Sequence, residues 1–250
     1  MSLSVNKSDN KWFLTPVKKT IYDYRMIADG DHIAVGLSGG KDSSTLFYIL
    51  NILQKQLPVK FKLVPIILDL GFEKMDISLL KKFIASLDAE LHVENTFISK
   101  IIFDIRREKN PCALCANLRR GALYNVAQSL NCNKVALGHN LDDALETFLM
   151  NLLFNGKMSV FQPKSFLDRK KITVIRPLIT LEEDTIKKIA KAKSIPVVKN
   201  TCPVDKKTKR EEVKQLVNVL SKQYPDIRHK FLTAVKNADL ESFWNIEQYK

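Results

Sequence analysis

Apolar residues along the chain fall into short blocks of two alternating kinds. The runs HIAVGLS (32–38), FKLVPIILDL (61–70), ELHVENTF (90–97), NKVALGHN (133–140) and KITVIRPL (171–178) are brief and apolar with many β-branched residues, and they predict buried strands. Between and after them, STLFYILNILQKQ (44–56), ISLLKKFIASL (77–87), ANLRRGALYNVAQSL (116–130), DDALETFLMNLLF (142–154), EEDTIKKIAKAK (182–193) and KREEVKQLVNVLSKQ (209–223) have helical length and period. A leading helix is expected over 11–27, started or interrupted near Pro16, and a terminal helix pair over 225–244. Strands alternating with helices predict an α/β fold, a parallel sheet covered by helices on both faces, with a helical C-terminal extension. The expected divisions are 1–28 for the leading helix, 29–200 for the sheet domain and 201–250 for the extension.

In such a sheet, ligands sit beyond the C-terminal ends of the strands. The glycine turn after the first strand, the Leu68-Asp69 end and the Gly138-His139 end all fall at that edge. The turn reads GLSGGKDSSTL (36–46) and leads from a strand into a helix, so it presents backbone N–H groups and the positive helix end to an anion, phosphate by preference. The pattern G-x-x-x-x-G-K-S/T does not fit, because only Leu37, Ser38 and Gly39 separate Gly36 from Gly40 and Asp42 follows the lysine; G-x-G-x-x-G fails as well. A tight turn alone would account for Gly39 and Gly40, but not for Ser38, Lys41, Asp42 and Ser43 together.

Charge sharpens the picture. Lys and Arg number 40 against 27 Asp and Glu, a formal net charge of +13. Solubility alone would use part of such an excess, but a polyanionic partner explains its size. The excess is concentrated between Lys164 and Lys214, with 15 basic and 7 acidic residues, which suits a nucleic-acid phosphate backbone. No apolar run approaches the ~18 residues of a membrane span, and MSLSVNKSDNKWF lacks the apolar centre of a signal peptide, so a cytoplasmic protein without membrane attachment is expected.

Four cysteines in a cytoplasmic chain argue against a disulfide framework. Cys112 and Cys115 form a C-x-x-C, a spacing shared by redox, zinc and iron–sulfur sites. Zinc would want a fourth ligand, with Cys202, Cys132 and His139 as candidates; Cys132 reads better as a small buried hydrophobe ahead of a strand. Cys112, Cys115 and Cys202 as a set of three suggest an iron–sulfur centre with one iron left open.

At this point the chain resembles a known family. Ser38-Gly39-Gly40-Lys41-Asp42-Ser43 looks like the PP-loop of the N-type ATP pyrophosphatases, which have the adenine nucleotide alpha hydrolase-like fold. The loop together with Cys112, Cys115 and Cys202 resembles the tRNA 2-thiocytidine synthetase family. PCALCANLRRGALYNVA, LGHNLDDALETFLMNLLFNG, IRPLI and YPDIRHKFLTAVKNADLESFW extend the likeness over nearly the whole chain, while LDLGFEKMD and VDKKTKR depart from the family pattern. The resemblance implies ATP and Mg²⁺ as cofactors with a 4Fe–4S cluster on the three cysteines. It places the pyrophosphate on Ser38–Ser43, with Lys41 neutralising charge and Asp42 helping to hold Mg²⁺. Asp69, Gly138 and His139 are expected to line the nucleotide site.

An Asp pair at a helix start also suits capping, and His139 also suits a core. Their place at the loop's edge favours Asp142 or Asp143 as an ATP–Mg²⁺ or acid–base group. Arg119 and Arg120 read either as a solvated helix face or as groups that steer phosphate and stabilise developing charge.

The expected reaction activates the C2 oxygen of an unpaired tRNA pyrimidine with ATP and replaces it with sulfur. Sulfur would come from a cysteine desulfurase or from inorganic sulfide, and a homodimer is compatible with this reading. The alternatives are a lysidine synthetase-like ligase, which needs no cysteine cluster, a zinc-bound thiolase, and an RNA-binding protein that keeps a nucleotide pocket without catalysis.

Overall fold

The computed structural model describes residues 9–72, 75–107, 111–198, 202 and 209–239. Its strands are β1 (Asp31–Leu37), β2 (Phe61–Asp69), β3 (His92–Asn95), β4 (Lys134–Ala136), β5 (Lys164–Leu167) and β6 (Ile172–Ile175). They form one sheet in the order β3–β2–β1–β4–β6–β5, parallel throughout except for β5, which runs antiparallel to β6. The described helices of eight residues or more are α1 (Thr15–Asp23), α2 (Lys41–Gln54), α3 (Ser78–Ala85), α4 (Pro111–Ser129), α5 (Leu141–Asn155), α6 (Glu183–Ala192), α7 (Lys209–Gln223) and α8 (Ile227–Lys236). None of them is long and apolar enough to cross a membrane.

Side-chain alternation along β1 shows why the sheet is covered on both sides. Ile33, Val35 and Leu37 join the larger apolar cluster, built with Leu46, Phe47, Leu50 and Leu53 of α2. Ala34, between them, faces the second cluster with Leu123, Val126 and Ala127 of α4. Phe13, Leu14, Val17 and Ile21 at the N-terminus, and Val213, Val217 and Phe231 of α7 and α8, belong to the larger cluster. Cys132 is buried in the smaller one, as expected of a core thiol.

The strand order reverses between β1 and β4, so a crevice opens there at the C-terminal edge. The loop after β1 and the turn after β4 both enter it. The opposite edge is closed by a buried ion pair: Lys134 Nζ lies 2.6 Å from Asp31 Oδ2. Asp31 also accepts from Asn133 Nδ2 at 2.8 Å and from the Ala28 N–H at 2.6 Å.

Several elements differ from the sequence reading. The leading helix opens with a π-helical turn over Asn10–Leu14 before α1. α4 begins at Pro111, five residues ahead of the expected start, which moves the C-x-x-C from a loop onto the first helical turn. Proline suits a first helical position because its fixed φ is already helical and its missing N–H would have no partner there. β5 was not expected: it has only four residues, lies at the sheet edge and is flanked by charge. Of the expected terminal pair, α8 is described; residues 240 onward, and the 203–208 part of the basic stretch after Cys202, lie outside the described residues.

Candidate active site

The loop after β1 is closed by its own serines. Ser43 Oγ accepts from the Ser38 N–H at 3.0 Å, lies 3.1 Å from Ser38 Oγ, and donates to the Gly40 carbonyl at 3.1 Å. Gly39 adopts φ +79, a left-handed conformation that favours glycine, and a Cβ there would meet Val198 at 2.8 Å. Gly40 is the N-cap of α2, with no side chain capping the helix. The first turn of α2 thus offers N–H groups and its dipole to an anion. Gly138, after β4, lets the two turns touch: a Cβ there would lie 2.9 Å from the Ser43 nitrogen. The structure gives Gly138 the work of close approach, and Asp69 the work of shaping the turn after β2, its Oδ1 accepting from the Gly71 N–H at 2.9 Å.

Lys41 Nζ lies 2.8 Å from Glu183 Oε1 and 3.0 Å from Asp42 Oδ2. Burial works against the ammonium, but Glu183 and Asp42 outweigh it and hold Lys41 above the usual lysine range. Glu183, on the first turn of α6, is itself reached by Lys214 of α7 at 3.0 Å and by Lys187 at 3.3 Å. Burial opposes its charge, yet the hydrogen bonds from Lys41 and Lys214 prevail and its carboxyl falls to about 2.

The two aspartates at the start of α5 part company. Asp142 is buried and occupied at both oxygens: Oδ1 accepts from Arg228 Nε at 2.6 Å and Oδ2 from the Glu183 N–H at 2.7 Å, tying α5 to α8 and α6. Asp143 forms a capping box with Asn140, accepting from the Asn140 N–H at 3.0 Å while its own N–H donates to Asn140 Oδ1 at 3.1 Å. Its other oxygen meets Arg210 Nη1 at 3.2 Å. Burial raises the Asp143 carboxyl above the usual range, with the charges of Asp42 and Glu183 adding to it. Asp143 therefore feels the loop's carboxylate, while Asp142 anchors helices.

His139 packs its ring on Phe161, centroids 4.9 Å apart, and Arg176 places its guanidinium 4.9 Å from the centroid of the same ring. Burial, followed by Arg176, Arg210 and Arg120, drives the His139 imidazole down to about 4, so it is neutral at neutral pH.

α4 runs from the C-terminal edge of the sheet after β3 back to the opposite edge before β4, so its first turn lies on the loop's side. Leu123 meets the glycine at position 36 of β1, where a Cβ would lie 2.7 Å away. Cys115 is eight residues earlier, about 12 Å further toward that edge along the helix. Cys112 and Cys115, three apart, share one helix face. Burial raises the Cys115 thiol, Arg119 pulls it down, and Cys202 and then Cys112 push it up again. Cys202 is thus close enough for its charge to be felt, and its chain is strapped to the loop: the Val198 N–H donates to the Gly39 carbonyl at 2.8 Å. Three thiols beside a helix N-terminus fit a thiolate-bound metal centre by chemistry. The thiols are not drawn into a ligating triangle: among the described residues no three His, Cys, Asp or Glu side chains are already gathered around one point.

Glu183, Lys214, Arg210, Arg228, Arg176 and Phe161 were missed from sequence. The IRPLI and YPDIRHKF stretches carried a signal for two of them, Arg176 and Arg228.

The sheet, the crevice and the serine-closed loop are those of a PP-loop protein, and residues 12–220 match the family described as the PP-loop domain. The chain is 41% identical over 224 residues to the tRNA-cytidine(32) 2-sulfurtransferase of Pelobacter propionicus, covering 88% of this chain and 83% of that one. It is 38% identical over 234 residues to the enzyme of the same name from Geobacter sulfurreducens, covering 92% and 91%. Among solved structures it resembles the U34-tRNA thiolase NcsA from Methanococcus maripaludis with its 4Fe–4S cluster, with TM-score 0.75 and 26% identity over 93% of this chain and 80% of that one. The chain belongs to the PP-loop family, in the branch of the tRNA-cytidine(32) 2-sulfurtransferases.

Proposed function

We propose that this protein is an ATP-dependent tRNA thiolase that replaces the C2 oxygen of a cytidine, at the position named in its relatives, with sulfur. One observation carries the reading: Cys115 lies in the field of both Cys112 and Cys202, at the sheet edge that bears the Ser38–Ser43 loop. The names of the relatives and of the structural neighbour support thiolation over a lysidine synthetase-like or purely RNA-binding role. In this reading residues 29–200 carry the nucleotide chemistry, and 1–28 and 201–250 are the flanking helical parts.

ATP supplies the activation, since adenylating the C2 oxygen turns a poor leaving group into AMP. The backbone N–H groups at the start of α2 receive the pyrophosphate, and Lys41, exchanging Glu183 for phosphate oxygens, offsets the charge that leaves with it. Asp42 is the carboxylate placed to hold Mg²⁺ beside the loop, with Asp143 as the acid–base candidate and Asp142 as the anchor of the surrounding helices. Asp69, Gly138 and His139 line the nucleotide's surroundings. Cys112, Cys115 and Cys202 would hold a 4Fe–4S cluster, which when bound supplies one iron without a protein ligand for sulfide. Arg119, beside Cys115, favours the thiolate form and stabilises charge near the reacting base. The sulfur donor is a cysteine desulfurase or free sulfide, the setting is the cytoplasm, and a homodimer is compatible with the site.

The test is anaerobic purification and reconstitution with iron and sulfide, followed by nucleoside mass spectrometry of tRNA incubated with ATP. The reading expects 2-thiocytidine, and its loss when Lys41 or any of the three cysteines is changed to Ala. A colourless protein with stoichiometric zinc that still thiolates would overturn the cluster. Absence of thiolation by a fully loaded protein would overturn the function.

A further inference from the structure

Among the described residues, two polar atoms around Phe161 lack a hydrogen-bond partner. Nε of Arg176 and Nδ1 of His139 are both buried without a hydrogen bond. Buried donors and acceptors are rarely left this way, and a cluster of them marks a place where something else completes the bonding. Arg176 stands directly after β6, beside β4, and its Nη1 is fixed by a hydrogen bond to the Gln162 carbonyl at 2.6 Å. Phe161 holds the guanidinium from one side.

The charges around it are of one sign. The groups that act on Arg176 are Tyr124 and Arg120, both on α4, with no carboxylate among them. Arg120 and Arg176 both act on His139, which contributes no charge of its own at neutral pH. A half-buried guanidinium that has no carboxylate partner among the described residues and lies in the field of a second arginine suits an anion. Its cations are not that of the PP-loop, whose Lys41 is already matched with Glu183 and Asp42. Arg120 lies five residues after Cys115 on the same helix, about 7.5 Å further along it. What must come to the thiols is the sulfur acceptor, and the acceptor is RNA.

We propose that Arg176 and Arg120 form a second anion site that grips a backbone phosphate of the substrate RNA next to the base to be modified. Phe161 positions the Arg176 guanidinium, and the Nδ1 of His139 is the second partnerless group beside it. The proposal rests on the thiolase reading, but its test needs neither turnover nor a cluster.

The experiment is equilibrium binding of an RNA hairpin with a single-stranded loop, measured without ATP over a range of salt concentrations. Wild type is compared with Arg176→Gln, Arg176→Lys and Arg120→Gln, and ATP binding is measured on the same proteins. Each charge-removing variant should weaken RNA binding roughly tenfold or more. Each should also flatten the salt dependence by ~0.7–0.9 in the log–log slope, as expected for one lost phosphate contact. Arg176→Lys should keep the slope while losing part of the affinity, because the charge stays and the planar fork goes. Arg120 is exposed on its helix, so its variant keeps the test alive should Arg176→Gln fail to fold. An unchanged slope in Arg120→Gln and in a folded Arg176 variant overturns the site, as does a loss of ATP affinity with RNA binding intact. If wild type binds no RNA at all, the thiolase reading fails first.

Discussion

Lys41 and Glu183 meet at 2.8 Å across 142 positions of sequence, joining the first turn of α2 to the first turn of α6. The loop's cation is therefore already engaged before any phosphate arrives, and Lys214 shares the same carboxylate from α7.

Replacing Glu183 with Gln should remove the acid sensitivity that this network creates. Its carboxyl titrates at about 2 in the fold against an ordinary 4.5. A depressed folded value means the stabilisation is present above about pH 4.5 and fades as pH falls toward 2. Thermal melts of wild type should drop across that window, and those of Glu183→Gln should start lower and drop less. Equal slopes for the two proteins would refute the assignment.

Glu146 works in the opposite direction. It is buried one turn after Asp143, and desolvation, then the charge of Asp143, lifts its carboxyl to about 7 against an ordinary 4.5. The folded state holds a proton that the unfolded chain gives up, so stability declines as pH rises from about 4.5 through 7. Glu146→Gln should raise stability at pH 8 by an amount on the order of 1–3 kcal/mol, read from urea denaturation, and leave it nearly unchanged at pH 4. The contact with Arg210 at 3.6 Å is too long to reverse that sign.

His139 should titrate far from the usual histidine range. Held to about 4 in the fold, it makes the protein lose stability as pH falls from about 6.5 toward 4, because only the unfolded chain takes up the proton there. Proton NMR of the imidazole checks this directly, and a midpoint near 6.5 would contradict the buried packing on Phe161.

The far edge of the sheet provides the control. Asp31→Asn breaks the buried pair with Lys134 and should cost about 3–5 kcal/mol in urea denaturation while leaving ATP affinity of the remaining folded protein unchanged. Likewise Cys132→Ala, in the apolar layer under α4, should lower stability and leave iron content intact, in contrast to the same change at Cys112, Cys115 or Cys202.

Local pattern was enough for the parallel strands and the loop, because a strand buried on both faces and a glycine turn entering a helix leave marks a few residues long. β5 left no such mark: its four residues alternate half-exposed and exposed at an edge where nothing apolar is required. The first turn of α4 was hidden because its residues are only partly covered, so no helical apolar period extends back to Pro111. The cations and carboxylates that surround Lys41 and Asp142 come from α6, α7 and α8, and each pairing depends on tertiary packing. Asp142 and Asp143 are neighbours of one type, and only the fold distinguishes the helix anchor from the carboxylate that faces the loop.

The strap between Val198 and the Gly39 carbonyl has a practical corollary for protein engineering. Transplanting SGGKDS onto another sheet would bring the glycines without the strand of chain that braces them from above, and that brace is the same stretch that delivers the third thiol. In the proposed reading, phosphate pocket and sulfur chemistry are in this sense a single part, to be moved together or not at all.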